Sequence, residues 1–275
     1  MKPFLFPLLI LTRWTLCSAA FTNTTPATGR FDSHFQYSPP YSTSGEVSRR
    51  LSATVASSPY TLAKEKFEVI VPETYTNDLS WGLLVWVSPG PTPAIPVDWP
   101  DILARHKLLF VGAYNAGNDR NAADRMRLAL DGSYNMRLRY RISPRRIYVA
   151  GFSGGGRVAS RLGVAFSDVF TGTIPICGVN FYMTIPAGGD QVWPPDFKTQ
   201  PRYLTPAKTN GRFVLVTGDN DVNRAQTEAT YEHGFKEYGF THVQYLQVSG
   251  MGHAIPPAEY LHRALIFLDG SVQRK

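Results

Sequence analysis

The stretch that most constrains this chain is Ile147-Tyr-Val-Ala-Gly151-Phe-Ser153-Gly-Gly155-Gly156-Arg-Val-Ala-Ser160, in which an apolar run passes through Gly-x-Ser-x-Gly into a segment with helical character. A serine on so sharp a strand-to-helix turn needs very small residues two positions before and two after it, because strand and helix approach closely there. The first N–H groups of the helix have no partner within it and lie next to the serine, aimed at incoming negative charge. Gly-x-Ser-x-Gly by itself is common. With a strand ahead and a helix behind, it asks for a parallel sheet with helices packed on it.

The remainder of the chain has that rhythm. Apolar runs predict seven strands, at Phe67–Val71, Leu83–Val87, Leu108–Ala113, Ile147–Ala150, Thr171–Cys177, Phe213–Thr217 and Val243–Val248. Helical patterns fall between them at Trp99–His106, Asn121–Tyr140, Gly155–Phe166 and Arg224–Tyr238, with a last one at Pro257–Leu268. Alternation of this kind predicts βαβ units and a mostly parallel central sheet with helices on both faces. A chain of 275 residues that is 43% hydrophobic can bury one sizeable core, and no tandem repeat suggests a solenoid or propeller. One interval breaks the pattern: residues 180–210 show no clear element but carry Phe181, Tyr182, Trp193, Phe197 and Tyr203 among several prolines. They read as an aromatic loop insertion serving as lid or substrate loop, with Phe181 and Trp193 as substrate contacts.

The N-terminus reads differently. Lys2, the apolar run Phe4–Leu11 and the small residues Ser18-Ala19-Ala20 make residues 1–20 a secretory signal, too short in its apolar part to span a bilayer. Leu16 stands before Cys17 where a bacterial lipobox would have a small residue, which argues against lipid anchoring. Cleavage after Ala20 leaves Cys177 as the single cysteine, placed in an apolar run as a small core residue. Residues 21–60, rich in Ser, Thr, Pro and Tyr, read as an extended arm lying along the catalytic domain at 61–275. The net charge of +7 is spread along the chain without an aromatic-interleaved basic stripe, so it reads as a mildly basic surface and not a nucleic-acid footprint. Oligomeric state leaves no trace in the sequence.

A serine nucleophile needs a base to take its proton and a carboxylate to orient that base. Gly218-Asp219-Asn220-Asp221 follows the strand at 213–217, and Ser249-Gly250-Met251-Gly252-His253 follows the strand at 243–248. Both candidates stand just past strand C-terminal ends, where a parallel sheet collects its site. His253 is the one histidine of six in a glycine-rich loop directly after a strand, and so the candidate base. For the acid, Asp221 is favoured by its distance from Gly218; Asp219 is the alternative, and either one can instead cap the following helix.

Acyl transfer also needs donors for an oxyanion. The Gly154 N–H, directly after the serine, is one. The second is sought in Ser88-Pro89-Gly90-Pro91, after the strand at 83–87, where the prolines have no N–H and Gly90 is the best backbone donor. Tyr114-Asn-Ala-Gly-Asn118 follows another strand and is expected at the cleft, with Tyr114 as a substrate contact. Two other glycine-rich readings fare worse. A P-loop would need lysine and a hydroxyl where Arg157 and Val158 stand, and a dinucleotide fingerprint at Gly154–Ala159 lacks an acidic residue after the next strand. With no His-Glu-x-x-His and no paired Cys-x-x-Cys, no metal or other cofactor is expected.

Gly151-Phe-Ser153-Gly-Gly155, Gly218-Asp-Asn-Asp221 and Gly252-His253, in that order, resemble the α/β-hydrolase superfamily over roughly residues 60–270. Within it, the Gly-Phe-Ser-Gly-Gly and Gly-Met-Gly-His segments resemble secreted polyhydroxybutyrate-depolymerase-like and feruloyl-esterase-like enzymes. The chain departs from many of these at Ser88-Pro89-Gly90, where they carry a His-Gly pair. The resemblance implies a metal-independent serine esterase acting through an acyl-enzyme on a small-molecule or polymer ester; the alternatives are a serine peptidase or other acyl-bond hydrolase, and a catalytically silent binding protein on the same fold.

Overall fold

The structure is a computed structural model that describes residues 26–270; the expected leader, with Cys17, lies outside the described residues. Its strands are β1 (Gly29–His34), β2 (Lys66–Val71), β3 (Gly82–Val87), β4 (Leu108–Ala113), β5 (Ile147–Phe152), β6 (Gly172–Ile176), β7 (Ile185–Gly188), β8 (Gln191–Trp193), β9 (Arg212–Gly218) and β10 (Val243–Val248). The helices are α1 (Ser44–Arg50), α2 (Trp99–Arg105), α3 (Ala122–Arg139), α4 (Gly154–Ala165), α5 (Pro201–Thr209), α6 (Arg224–Ala229), which continues as a π-helical turn over Thr230–Lys236, and α7 (Ala258–Asp269).

Eight strands form one sheet in the order β1-β2-β4-β3-β5-β6-β9-β10. Only β2 runs against the others; from β4 to β10 every pairing is parallel. The central strands are buried on both faces, which is why they read as unbroken apolar runs instead of alternating ones. Leu83, Val85 and Val87 pack with Met126 and Leu130 of α3 and Leu162 of α4, whereas Leu84 and Trp86 pack with Trp99 and Leu103 of α2 and Leu265 of α7. Strand order reverses around β3 and β5, and the crevice beyond their C-terminal ends is where an open parallel sheet binds its ligands.

Two expectations need correction. Where it is described, the stretch read as an extended arm contains β1, which pairs antiparallel with β2 in register Phe31 to Val69, and the two-turn helix α1. Alternate residues of β1 face water, so its sequence Gly-Arg-Phe-Asp-Ser-His lacks an apolar pattern. The region 180–210 is likewise not without elements: β7 and β8 make a small antiparallel hairpin, and α5 starts at Pro201, in the first-turn position that tolerates proline.

Candidate active site

Ser153 sits between the last residue of β5 and the first of α4 with φ 55° and ψ −119°, a backbone conformation that a side chain rarely adopts. The turn is possible because of its glycines. A Cβ on Gly151 would lie 2.4 Å from the Gly155 carbonyl, and one on Gly155 would lie 1.9 Å from the Val87 oxygen. The reversal points the serine hydroxyl out of the sheet edge and leaves the Gly154 N–H at the open start of α4.

Loops after β9 and β10 bring two more groups to it. His253 Nε2 lies 2.9 Å from Ser153 Oγ, and His253 Nδ1 lies 2.7 Å from Asp221 Oδ1. An ionised carboxylate only accepts, so Nδ1 carries the hydrogen of the neutral ring and Nε2 is left as acceptor for the serine hydroxyl. The Asp221 side chain is fully buried while that of His253 keeps 31% of its surface, so the acid is shielded and the base is open to solvent. Burial alone would raise the Asp221 pKa, but hydrogen bonds from Thr217, His253 and the Asn223 N–H hold it below its ordinary value. The Phe152 ring packs against the imidazole with centroids 4.9 Å apart. Asp219 does not reach His253; its N–H goes to the Val248 carbonyl, and its carboxylate is not among the imidazole's partners.

Other expected residues are placed elsewhere. Phe181 is 2% exposed and packs against Tyr182, Phe235, Tyr238 and Phe240 in the core, so it is not a cleft wall. An aromatic residue in a stretch without evident periodicity looks the same in sequence whether it is a lid or a core ring. Trp193 ends β8 half-buried against that same core. Tyr114 turns toward the β1–β2 edge of the sheet, its ring under Lys66 Nζ at 4.0 Å. Gly90 already donates its N–H to Ser88 Oγ at 3.1 Å, which leaves the expected second donor occupied.

Sequence reasoning missed the supports of the site. Thr217 Oγ1 donates to Asp221 Oδ2 at 2.6 Å, and Asn223 Nδ2 ties the acid loop to the Cys177 carbonyl at 2.9 Å. Nothing about an isolated Thr or Asn signals such a role; proximity to Asp221 is the only trace. Among the described residues, Cys177, Asp221 and His253 alone bring His, Cys or carboxylate donors close enough to share an ion. They do not fit one well: the acid and the imidazole are bonded to each other, and burial pushes the Cys177 thiol up to about 12, so it offers no thiolate at neutral pH. Among the described residues no helix is long and apolar enough to cross a membrane.

No protein-family model matches the chain, and no curated protein does. Solved structures do. The fluorophosphonate-binding serine hydrolase F of Staphylococcus aureus aligns with a TM-score of 0.55 at 16% identity, over 78% of this chain and 96% of that one. A hyperthermophilic esterase from the archaeon Pyrobaculum calidifontis aligns with a TM-score of 0.53 at 15% identity, over 76% of this chain and 80% of that one. A candidate dipeptidyl aminopeptidase IV from Bacteroides ovatus aligns over 75% of this chain with a TM-score of 0.51 at 13% identity, and this chain spans only 33% of its length. At such identities the likeness speaks to the fold alone.

Proposed function

We propose that this chain, whose fold is that of the α/β hydrolases, is a serine carboxylic-ester hydrolase. The observation that carries the reading is the unbroken hydrogen-bonded line from Ser153 through His253 to buried Asp221, set at the C-terminal edge of a parallel sheet. Ser153 Oγ attacks the ester carbonyl carbon while His253 Nε2 takes its proton. Asp221 holds the ring and stabilises the imidazolium that forms. The carbonyl oxygen becomes an oxyanion next to the Gly154 N–H, and its collapse expels the alcohol, which leaves with the proton from His253. Water then attacks the acyl-Ser153 with His253 again as base, releasing the acid and restoring the serine.

The reading extends to an exported enzyme acting on small or polymeric esters, with feruloyl, acetyl-sugar and polyester substrates as the classes to try. Its support is the leader-like composition of residues 1–20 and the sequence resemblance around Ser153 and His253. The test is hydrolysis of short-chain p-nitrophenyl esters by wild type and Ser153→Ala with a chelator present. Chelator-resistant turnover that the substitution abolishes is the expected result. Activity that survives it contradicts the mechanism, and a wild type that cleaves peptides but not esters moves the chain to the peptidases.

A further inference from the structure

If the chain is a serine hydrolase, it needs a second oxyanion donor, and the loop after β3 does not offer the expected one: Pro89 and Pro91 have no N–H, and that of Gly90 is given to Ser88 Oγ. The loop after β4 reaches the residue that follows the nucleophile. The Asn118 carboxamide rests against Gly154, where an added Cβ would lie 2.0 Å from Asn118 Oδ1 and 3.1 Å from Nδ2. The Asn118 N–H donates to the Pro89 carbonyl at 2.9 Å, which joins the two loops.

One side chain sets which way that carboxamide points. Arg125, on α3 and 5% exposed, donates from Nη1 to Asn118 Oδ1 at 3.2 Å, from Nη2 to the Ser88 carbonyl at 2.9 Å and from Nε to the Ala116 carbonyl at 2.7 Å. A guanidinium only donates, so it takes the carbonyl end of the amide and leaves the NH2 end unbound to it. Asn118 Nδ2 has no acceptor among the described residues. Among the described residues Arg125 has no carboxylate partner; burial and the nearby Arg161 lower its pKa to about 10, which still leaves it charged at neutral pH. A buried cation bonded only to neutral oxygens of two loops at the nucleophile has a large uncompensated field there, and such a group is costly unless it serves a purpose.

We propose that Asn118 is a catalytic residue, its Nδ2 donating to the substrate oxyanion beside the Gly154 N–H, and that Arg125 is a positioning residue that orients the carboxamide and adds positive potential. This rests on the serine-hydrolase reading. A fluorophosphonate probe, whose phosphoryl oxygen enters the same site when Ser153 displaces fluoride, tests it without knowledge of the natural substrate.

The labelling rate and p-nitrophenyl acetate kinetics are measured for wild type, Asn118→Ala, Asn118→Asp and Arg125→Lys, with melting temperature as the control for folding. Asn118→Asp keeps the shape and gives Arg125 an ionic partner, so it folds, yet it puts an acceptor where a donor is needed. Loss of one such donor lowers kcat by about 10²–10³-fold. That loss is expected for Asn118→Ala, a larger one for Asn118→Asp, and for both the labelling rate falls in proportion while KM holds. Arg125→Lys is expected to lower kcat and labelling together, again without raising KM. Asn118 variants within about threefold of wild type, or a change confined to KM, overturn this proposal alone. A wild type that neither hydrolyses the ester nor takes the label overturns the serine-hydrolase reading and this proposal with it.

Discussion

Ser153 pays for its exposure with backbone strain. A non-glycine residue at φ 55° with ψ −119° costs about 1–3 kcal/mol, and glycine escapes that cost. Both Ser153→Ala and Ser153→Gly remove the hydroxyl, yet the glycine variant is expected to be the more stable by about 1 kcal/mol, or ~2–4 °C in Tm for a domain of this size. Equal melting temperatures would show that the turn is not strained. Cys177 lies one loop away with φ 51°, its Sγ 3.4 Å from the Ala254 carbonyl and its pKa pushed up to about 12 by burial and Asp221. At pH 8 it is therefore a thiol, and a disulfide reagent is expected to modify it only after the protein is unfolded. Rapid modification of the native protein would contradict the burial.

The elements that hold the site were the legible ones. Leu108–Ala113 and Val243–Val248 coincide with β4 and β10, and the nucleophile turn joins β5 to α4 where Gly151 and Gly155 require it. β4 is buried along its whole length and reads as an unbroken apolar run, whereas β10, at the edge of the sheet, keeps Gln244 and Gln247 between its apolar residues. What stayed hidden is stabilised by partners distant in sequence. The helix α1 has too few apolar residues to show a period, yet Arg50 at its end bonds Asp168 Oδ1 and Oδ2 at 2.5 and 3.0 Å and lies between the rings of Phe166 and Tyr203. Likewise, His253 and Asp221 stood out by their loops, whereas Arg125 looks like any helical arginine until Ser88 and Ala116 are seen around it. Arg50→Ala is expected to destabilise the fold by about 2 kcal/mol, read by urea unfolding, and to leave esterase turnover per folded molecule unchanged. A loss of turnover without loss of stability would place α1 in the site instead.

At the scale of the molecule, chemistry and stability sit at opposite ends of the sheet. Away from Ser153, Asp269 at the end of α7 receives Arg146 Nε at 2.9 Å, Arg146 Nη2 at 3.0 Å and the Tyr148 hydroxyl at 2.7 Å, with His106 Nδ1 at 3.1 Å. Burial would raise the Asp269 pKa, but His106, Arg146 and Tyr148 hold it below the ordinary value, as the partners of Asp221 do for that group. A carboxyl with a lowered folded pKa contributes stability that is complete above its unfolded value, about 3.9, and lost as pH falls through the folded one. Asp131 works the other way: burial raises its pKa, so its protonation favours the fold as pH falls. Asp269→Ala, which leaves Arg146 buried and without its carboxylate, is expected to cost about 3–5 kcal/mol at pH 7 and much less below pH 3. A cost independent of pH would show that packing, not charge, holds that end together.

A triad built on Ser153 puts the acyl group of the intermediate on its Oγ. The protein is mixed with p-nitrophenyl acetate, quenched in acid within the first turnovers, and its peptides are mapped by mass spectrometry. An acetyl group is expected on the peptide containing Ser153, formed with a burst of p-nitrophenol and absent from Ser153→Ala. Steady ester turnover with no acyl group on Ser153 at any quench time, or an adduct on another residue, would contradict it.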